Sequence, residues 1–468
     1  MKAKVVLIQP NYNVKKDAEI WTANPPLGLL YLAAVLEKAK IPVKIIDANV
    51  LNLTSTQTVD LIKKEQPTHV GFSILTPAAD WSWQVVKKLP RQMIKIAGGP
   101  HVSALPKEAL RKGFEIAVIG EGEETLWEIV QGKKLAAIKG ICYKKGRQIL
   151  TNPLRPPLNP NQLPLPARHL IVKGGTDKPY LSAGTRYYPW AQILTSRGCP
   201  YNCYFCNKNI FGYHYRPRTP ANVLKEIDFL VKKYRVKEID FYDDNFNFDI
   251  QRAEKIMDLI IKKKYQLYLR FSNGLRADKI TKRLLKKMKA AGTDYIAFGI
   301  ESGDEEVLQK IPKAETLDQI RKAVLLTKEA GIPVIGFFIL GLLGDTRPSM
   351  QRTIDFATSL PFDRIILNIA APYPGTRMWG MIKAAEKAGG QIFVNRWQDF
   401  CNTSGKMLYT FPQTASPAEV EAMFKKAYWQ FYFRPKYLFQ KLPELFSFSQ
   451  IPIMYRGLKR IFFSLHTS

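Results

Sequence analysis

Cysteine is scarce in this chain: five among 468 residues, and none before Cys142. An odd count, with three of the five inside eight residues, excludes the disulfide framework of a secreted domain and fits a reducing cytosol. Long apolar runs are missing too. No stretch reaches the ~18–20 residues a membrane-spanning helix needs, and Met1-Lys2-Ala3-Lys4 leads into a strand pattern rather than a signal peptide. No GxGxxG follows the first predicted strand, which argues against a nicotinamide cofactor. Acidic residues are in short supply, 40 Asp and Glu against 70 Lys and Arg, for a formal charge of +30. Such a field favours polyanions, phosphorylated substrates or an anionic membrane surface, or it is simply a solvated basic surface.

What is present is concentrated. Cys199-Pro200-Tyr201-Asn202-Cys203-Tyr204-Phe205-Cys206 places three thiols at CxxxCxxC spacing just after the apolar pair Ile193-Leu194. Three thiolates on one short loop can hold three corners of a cubane iron–sulfur cluster and leave the fourth iron open to a non-protein ligand. The alternative is a structural zinc site with His214 as fourth ligand, since zinc takes four N/S donors in a closed tetrahedron. The short spacings of zinc knuckles are absent around His214. Cys142 and Cys401 read as ordinary thiols.

Over the first 150 residues, apolar strand-like runs alternate with helical patterns. Strands are expected at 5–9, 43–47, 69–75, 94–97 and 116–119. Helices are expected near 27–40, 56–65, 79–89 and 106–112, and again after Glu123. Such alternation predicts a doubly wound parallel sheet, with ligands at the carboxyl ends of its strands. The loops at those ends are Asn24-Pro25-Pro26-Leu27-Gly28, Ser73-Ile74-Leu75-Thr76, Gly98-Gly99-Pro100-His101 and Gly120-Glu121-Gly122-Glu123. Paired glycines would let a flat ligand approach the backbone, although glycines that end strands commonly just turn the chain. Residues 138–150 read as a hairpin. The stretch Asn152–Pro166, with six prolines in fifteen residues, reads as an extended linker. The division is therefore 1–150, a linker over 151–184, a third unit over 185–378 and a C-terminal region over 379–468.

In the third unit the alternation resumes with longer helices. Strands are expected at 191–195, 238–242, 267–272, 295–300, 334–340 and 364–370. Helices are expected at about 220–234, 250–263, 279–291, 317–330 and 348–360. Six units of this length predict a partial (β/α) barrel with its chemistry at the strands' C-terminal ends. Asp243, Asp244, Ser272, Asn273 and Glu301 fall at those ends, as does the segment Gly336–Gly344, which includes Gly341. Asp243 and Asp244 could instead cap the following helix. Arg270 and Arg276 could neutralise a ligand's carboxylate or pair with a nearby acid.

The barrel segment resembles the radical S-adenosylmethionine (SAM) superfamily, and in particular its cobalamin-binding members. Cys199, Cys203 and Cys206, with Phe205 before the last, satisfy its CxxxCxΦC motif. The first domain resembles cobalamin-binding Rossmann-like domains, with Ser73-Ile74-Leu75 as the SxL element and Gly98-Gly99 as the GG element. It departs from DxHxxG, since its first loop, Gln9-Pro10-Asn11-Tyr12-Asn13, offers no histidine to cobalt. The fold class this implies is α/β, a Rossmann-like sheet followed by a (β/α)6 barrel and a small, mostly helical C-terminal region. By the resemblance the three cysteines ligate a [4Fe-4S] cluster whose free iron chelates SAM. Asp243 and Asp244 lie where the SAM amino group is received, Ser272 and Asn273 near its ribose or carboxylate, Glu301 at a fourth-strand glutamate position, and Gly336–Gly344 beside adenine. Ser73, Leu75, Gly98 and Gly99 would line cobalamin.

The implied activity is C-methylation at an unactivated carbon, initiated by a 5′-deoxyadenosyl radical and completed by methylcobalamin, with an external electron donor and a small-molecule substrate. A cyclisation or C–C coupling without methyl transfer is the alternative within the class. Methylthio transfer to tRNA would bring extra cysteines in the first domain, which this chain lacks. A zinc-stabilised nucleic-acid-binding protein is the alternative outside it. The C-terminal stretches 428–439, 445–448 and 454–463 mix aromatics with Lys and Arg. They suit a helix at a membrane interface, with a hydrophobic, lipid-like substrate, or packing over the barrel mouth. The expected location is cytoplasmic, with or without membrane association.

Overall fold

The computed structural model describes residues 3–12, 24–171, 180, 184–393, 395–400, 405–435 and 437–439. The first sheet has seven strands: β1 (Val5–Gln9), β2 (Val43–Asp47), β3 (His69–Ser73), β4 (Ile94–Gly98), β5 (Ile116–Val118), β6 (Ile141–Lys145) and β7 (Gln148–Thr151), in the order β2-β1-β3-β4-β5-β6-β7. β1 to β5 are parallel, and the β6–β7 hairpin joins β5 antiparallel. The inner strands are apolar on both sides because helices cover both faces. One face packs on α1 (Leu27–Lys38) and α6 (Glu123–Val130), through Leu30, Leu126 and Ile129. The other packs on α2 (Ser55–Glu65), α3 (Ala79–Lys87) and α5 (Pro106–Lys112), through Val59, Ile62, Val85 and Leu110. A short α4 (Pro100–Ala104) precedes α5. β1 lies between β2 and β3, which makes it the switch point where the sheet's ligand crevice opens.

The proline-rich stretch runs extended along this unit. Arg155 pairs there with Glu124 and Glu128, and the Leu158 N–H donates to Glu121.

The second sheet is the barrel wall. It comprises β8 (Trp190–Ile193) and, after the two-residue strands β9 (Ser196–Arg197) and β10 (Arg216–Pro217), β11 (Glu238–Phe241), β12 (Tyr268–Leu275), β13 (Thr293–Glu301), β14 (Val334–Leu340) and β15 (Arg364–Ile369). The six long strands are parallel, in the order β15-β14-β13-β12-β11-β8. The outer helices are α7 (Pro220–Tyr234), α8 (Ile250–Lys263), α9 (Lys282–Ala290), α10 (Glu305–Lys310), α11 (Leu317–Glu329) and α12 (Arg347–Ser359). The helix expected from residue 279 starts at Lys282, because the Thr281 hydroxyl accepts from Leu284 N–H and caps it. Strand alternation sends Ile239, Phe241, Leu269, Phe271, Phe298 and Phe338 outward into the helix layer.

The inward residues are of two kinds. Tyr295, Ala297 and Ile335, with Phe337 and Ile366, form an apolar inner wall on β13–β15. On β11 and β12, Glu238, Asp240 and Arg270 are each 0% exposed. Arg270 pairs with Glu238 at 2.5 Å and Asp240 at 3.3 Å, and donates to Thr185 Oγ1 and, at 3.0 Å, to Tyr295 Oη. This guanidinium therefore serves the barrel's interior and not a ligand.

After α13 (Arg377–Ala384), the last long helix of the described residues is α14 (Pro417–Tyr432). Val420, Met423, Phe424, Ala427 and Phe431 bury against the barrel, and the Tyr432 hydroxyl both donates to and accepts from the Ile365 backbone. Of the stretches expected at a membrane interface or over the barrel mouth, only the first is described, and its start, residues 428–432, packs on the barrel as part of α14. The helix lies along the flank of the edge strand β15, whose apolar outer face would otherwise be left open. Trp429, Leu438 and Phe439 remain exposed. The stretches 445–448 and 454–463 lie outside the described residues. Among the described residues no helix is long and apolar enough to cross a membrane.

Candidate active site at the barrel mouth

The cysteine loop is pinned at both ends. β9 and β10 pair antiparallel, Ser196 with Pro217 and Arg197 with Arg216, so residues 198–215 form a closed excursion after the first barrel strand. Gly198 enters it at φ +81, where a Cβ would lie 2.3 Å from His214 O, so only glycine fits. Within the loop, Cys206 N–H donates to Cys203 O, and Met378 N–H ties Tyr204 O to the end of the barrel. Cys199 is buried, Cys203 half-buried and Cys206 exposed.

Burial pushes the Cys203 thiol up to about 12, so ligation by this sulfur releases a proton. Asn245 Nδ2 approaches the sulfur of Cys199 at 3.9 Å, and the Lys208 ammonium lies in the field of the cysteines. Burial opposes the Lys208 charge but is outweighed by Cys206, Cys199 and Asp244. Among the described residues no three His, Cys, Asp or Glu side chains converge as ligands of a single metal ion would. The zinc reading therefore lacks its tetrahedron, and His214 is exposed.

The two aspartates divide their work. Asp243, 2% exposed, turns inward and accepts from Thr195 N–H and Oγ–H and from Ser196 Oγ–H, bracing the chain that leads to the cysteines. Asp244 stands at the recess beside the cysteines. It accepts Gly198 N–H at 3.0 Å; loss of hydration raises its carboxyl, and the charge of Lys208 opposes that rise. Neither caps α8, whose N-cap is Asp249.

Ser272 donates to Asp240, and Asn273 Nδ2 donates to Asp243 O at 2.9 Å. Glu301, at φ +70, pairs with Lys313 Nζ at 3.0 Å. Gly299 makes that pair possible, since a Cβ there would come within 2.7 Å of Glu301 Oε1. Lys313 also holds Glu315 at 3.1 Å, and burial, which opposes its charge, is overcome by the two carboxylates. Arg276 stacks 3.4 Å over the Tyr201 ring and pairs with Asp278, so it is satisfied within the protein.

Gly336 and Gly341 are explained by packing. Added Cβ atoms would meet the Phe338 ring at 2.7 Å and Val420 at 2.9 Å, so the protein's own side chains fill the space beside both glycines.

In the first sheet, the loops singled out from sequence touch one another. Ile74 N–H donates to Gly98 O and His101 N–H to Ile74 O, at 2.8 and 3.2 Å. Gly99, at φ +95, lets the chain cross there, since a Cβ would sit 2.6 Å from Ile74 N. Ser73 lies half-buried at this crossing, and Leu75 is 38% exposed beside it. Gly98 has ordinary clearance. His101 is packed within the protein, near Thr76 at 3.3 Å, paired with Glu108 at 3.4 Å and edge-on to Trp397.

The Radical SAM superfamily profile matches residues 193–357, and the B12 binding domain profile matches residues 18–130. The chain is 32% identical to an uncharacterized methyltransferase of Pyrococcus horikoshii, PH0819, over 98% of this chain and 99% of that protein. This chain belongs to the B12-binding radical SAM family. It is also 26% identical to the anaerobic magnesium-protoporphyrin IX monomethyl ester cyclase of Rubrivivax gelatinosus, over 79% of this chain and 68% of that one. Its fold matches that of TsrM, a radical SAM methyltransferase of Kitasatospora setae solved with cobalamin and a [4Fe-4S] cluster, with a TM-score of 0.70 at 18% identity over 93% and 90% of the two chains.

The family's cofactors are a [4Fe-4S] cluster, SAM and cobalamin, and the donor chemistry here fits them. Soft thiolates suit an iron–sulfur cluster, and N–H donors to sulfur tune it. A B12-binding radical SAM protein must also hold its two cofactor domains together. Here the joint is a buried ion network that sequence reading missed. Arg197, two residues before Cys199, is 3% exposed and forks onto Glu121 and Glu123 of the first domain, each at 2.7 Å. Arg216 reaches Glu121 at 2.8 Å. Tyr31 and Phe211 flank the Arg197 guanidinium at 5.1 and 4.9 Å. The only sequence signal was that Glu121 and Glu123 stand at a strand's carboxyl end.

Proposed function

We propose that this enzyme methylates an unactivated carbon of a small molecule, using cobalamin held by the first domain above the barrel mouth. The observation that carries this reading is the joint itself. The loop after β5, at the carboxyl end of the cobalamin-type sheet, is ion-paired to the residue that leads into the cysteine motif. The wide coverage of a Pyrococcus methyltransferase supports the same reading.

When bound, the cluster and SAM supply one-electron chemistry strong enough to break an unactivated C–H bond, and cobalamin supplies the methyl group. The chain binds, orients and excludes water. Cys199, Cys203 and Cys206 would hold the cluster, with Asn245 donating toward the Cys199 sulfur and the Lys208 charge beside it. Asp244, Asn273 and Glu301 border the place for SAM. Asp243 and Ser272 act through the backbone and Asp240, Lys313 fixes the Glu301 carboxylate, and Gly336 and Gly341 shape the strand beside SAM by giving room to Phe338 and Val420. Ser73, Leu75, Gly98 and Gly99 form the floor for the corrinoid.

The apolar inner wall of Ala297, Ile335, Phe337 and Ile366 supports a hydrophobic, lipid-like substrate. Exposed Trp429, Leu438 and Phe439 support peripheral membrane contact. An external one-electron donor completes the reading. The test is iron, sulfide and corrinoid analysis of anaerobically purified protein, followed by turnover with methyl-labelled SAM. Label in product supports methyl transfer. SAM cleavage with unlabelled product would shift the assignment to ring closure, the activity of the Rubrivivax relative. No SAM cleavage under reductant would refute both.

A further inference from the structure

We infer that the Arg197 junction couples the two cofactor sites, so that filling the cysteine loop tightens the first domain's hold on a corrinoid, and the reverse. This rests on the first domain's taking cobalamin.

Three observations carry it. First, Arg197 lies two residues before Cys199, and the link between them is anchored, with Gly198 N–H donating to Asp244 at 3.0 Å and Cys199 N–H to Gly212 O at 3.4 Å, so a movement of Arg197 is passed to the cysteine loop. Second, the carboxylates that grip Arg197 belong to the corrinoid side. Glu121 follows β5, Glu123 opens α6, and they are 8% and 6% exposed, so the pair sits where water does not compete for the guanidinium. Third, the same surface seals the gap between the first and last barrel strands. Asn207 Nδ2 donates to Pro374 O at 3.3 Å, and a Cβ on Gly375 would strike both Asn209 of the cysteine loop, at 2.0 Å, and Ala104 of the first domain, at 2.8 Å. The cysteine loop, the end of the barrel and the first domain therefore interlock at one point. A fork of buried charge defines two arrangements, engaged or broken, and not a continuum.

Coupling between sites is reciprocal and usually worth a factor of about 5–150 in affinity. The measurement is equilibrium binding of hydroxocobalamin to the full chain, iron-free and after anaerobic reconstitution. The reconstituted chain should bind at least about 5-fold more tightly. Arg197→Met, with its iron and sulfide content verified, should bind equally in both forms. Where that variant does not fold, Glu123→Gln, which keeps a hydrogen-bonding partner for the guanidinium, should shrink the ratio without abolishing it. Equal affinity of the two native forms, or an undiminished ratio in the variant, would overturn the coupling alone. No binding by either form would overturn the coupling and the cobalamin reading together.

Discussion

Two buried arginines organise this molecule in the same chemical way and to different ends. Arg270 lies between Glu238 and Asp240 inside the barrel, all three contributed by neighbouring strands. Arg197 lies between Glu121 and Glu123, more than 70 residues upstream in the first domain. Each guanidinium meets two carboxylates and at least one aromatic ring. A buried ion pair is poor evidence of stability in itself, because desolvation consumes most of the attraction. What it does provide is geometry, since its partners tolerate no substitute. The first arginine fixes the shape of one domain, and the second fixes where two domains meet.

The largest effect should come from Arg270→Met. It leaves two carboxylates unpaired at 0% exposure, and breaking such a pair costs about 3–5 kcal/mol. Urea denaturation should show the barrel transition falling by that amount. Adding Glu238→Gln and Asp240→Asn should recover most of it; no recovery would mean the network is not what destabilises. Arg197→Met should cost less, about 2 kcal/mol, because Arg216 still neutralises Glu121. Its signature should be local, with faster proteolysis in the 152–166 stretch while both sheets stay folded. A single global transition at lower denaturant would contradict the division of roles.

The third effect is on pH dependence. Burial, offset by Arg270, raises Asp240 to about 6 in the folded chain. The folded state therefore holds a proton that the unfolded chain releases near pH 4, and stability declines as pH rises from about 4 to about 6. Asp240→Asn should flatten that decline without abolishing it, because Asp47 and Asp345 are also raised to about 6, mainly by burial. An unchanged profile would count against the assignment. The smallest effect is expected of Trp397→Phe, which removes one hydrogen bond to Glu108 at 2.9 Å and should cost about 1 kcal/mol in thermal denaturation.

Much of this architecture was legible in the sequence because it is local. β14, α7 and α8 have the expected limits, since periodicity and caps such as Thr219 and Asp249 are written within a few residues. The cysteine motif was legible for the same reason, and so was the place of Ser73–Leu75 and Gly98–Gly99 at strand ends; their contact was not. Pairings across long separations left no such trace. Nothing in the spacing of Arg197 or Lys313 announces their carboxylates. Nor does local pattern say that Asp243 turns inward while Asp244 faces the recess, or that Gly336 makes room for a phenylalanine ring.

All seven strands of the first sheet lie between Val5 and Thr151, so that unit is complete in sequence well before the cysteine motif is made. Domains fold as units while the chain is still being synthesised, at about 5–20 residues per second. The seat for Arg197 is therefore expected to exist for several seconds before its occupant leaves the ribosome. The oxygen-sensitive thiols would then emerge onto a surface already built to receive their loop. Ribosome-bound chains halted near residue 190 should already protect the first sheet from protease; if they do not, maturation does not follow this order.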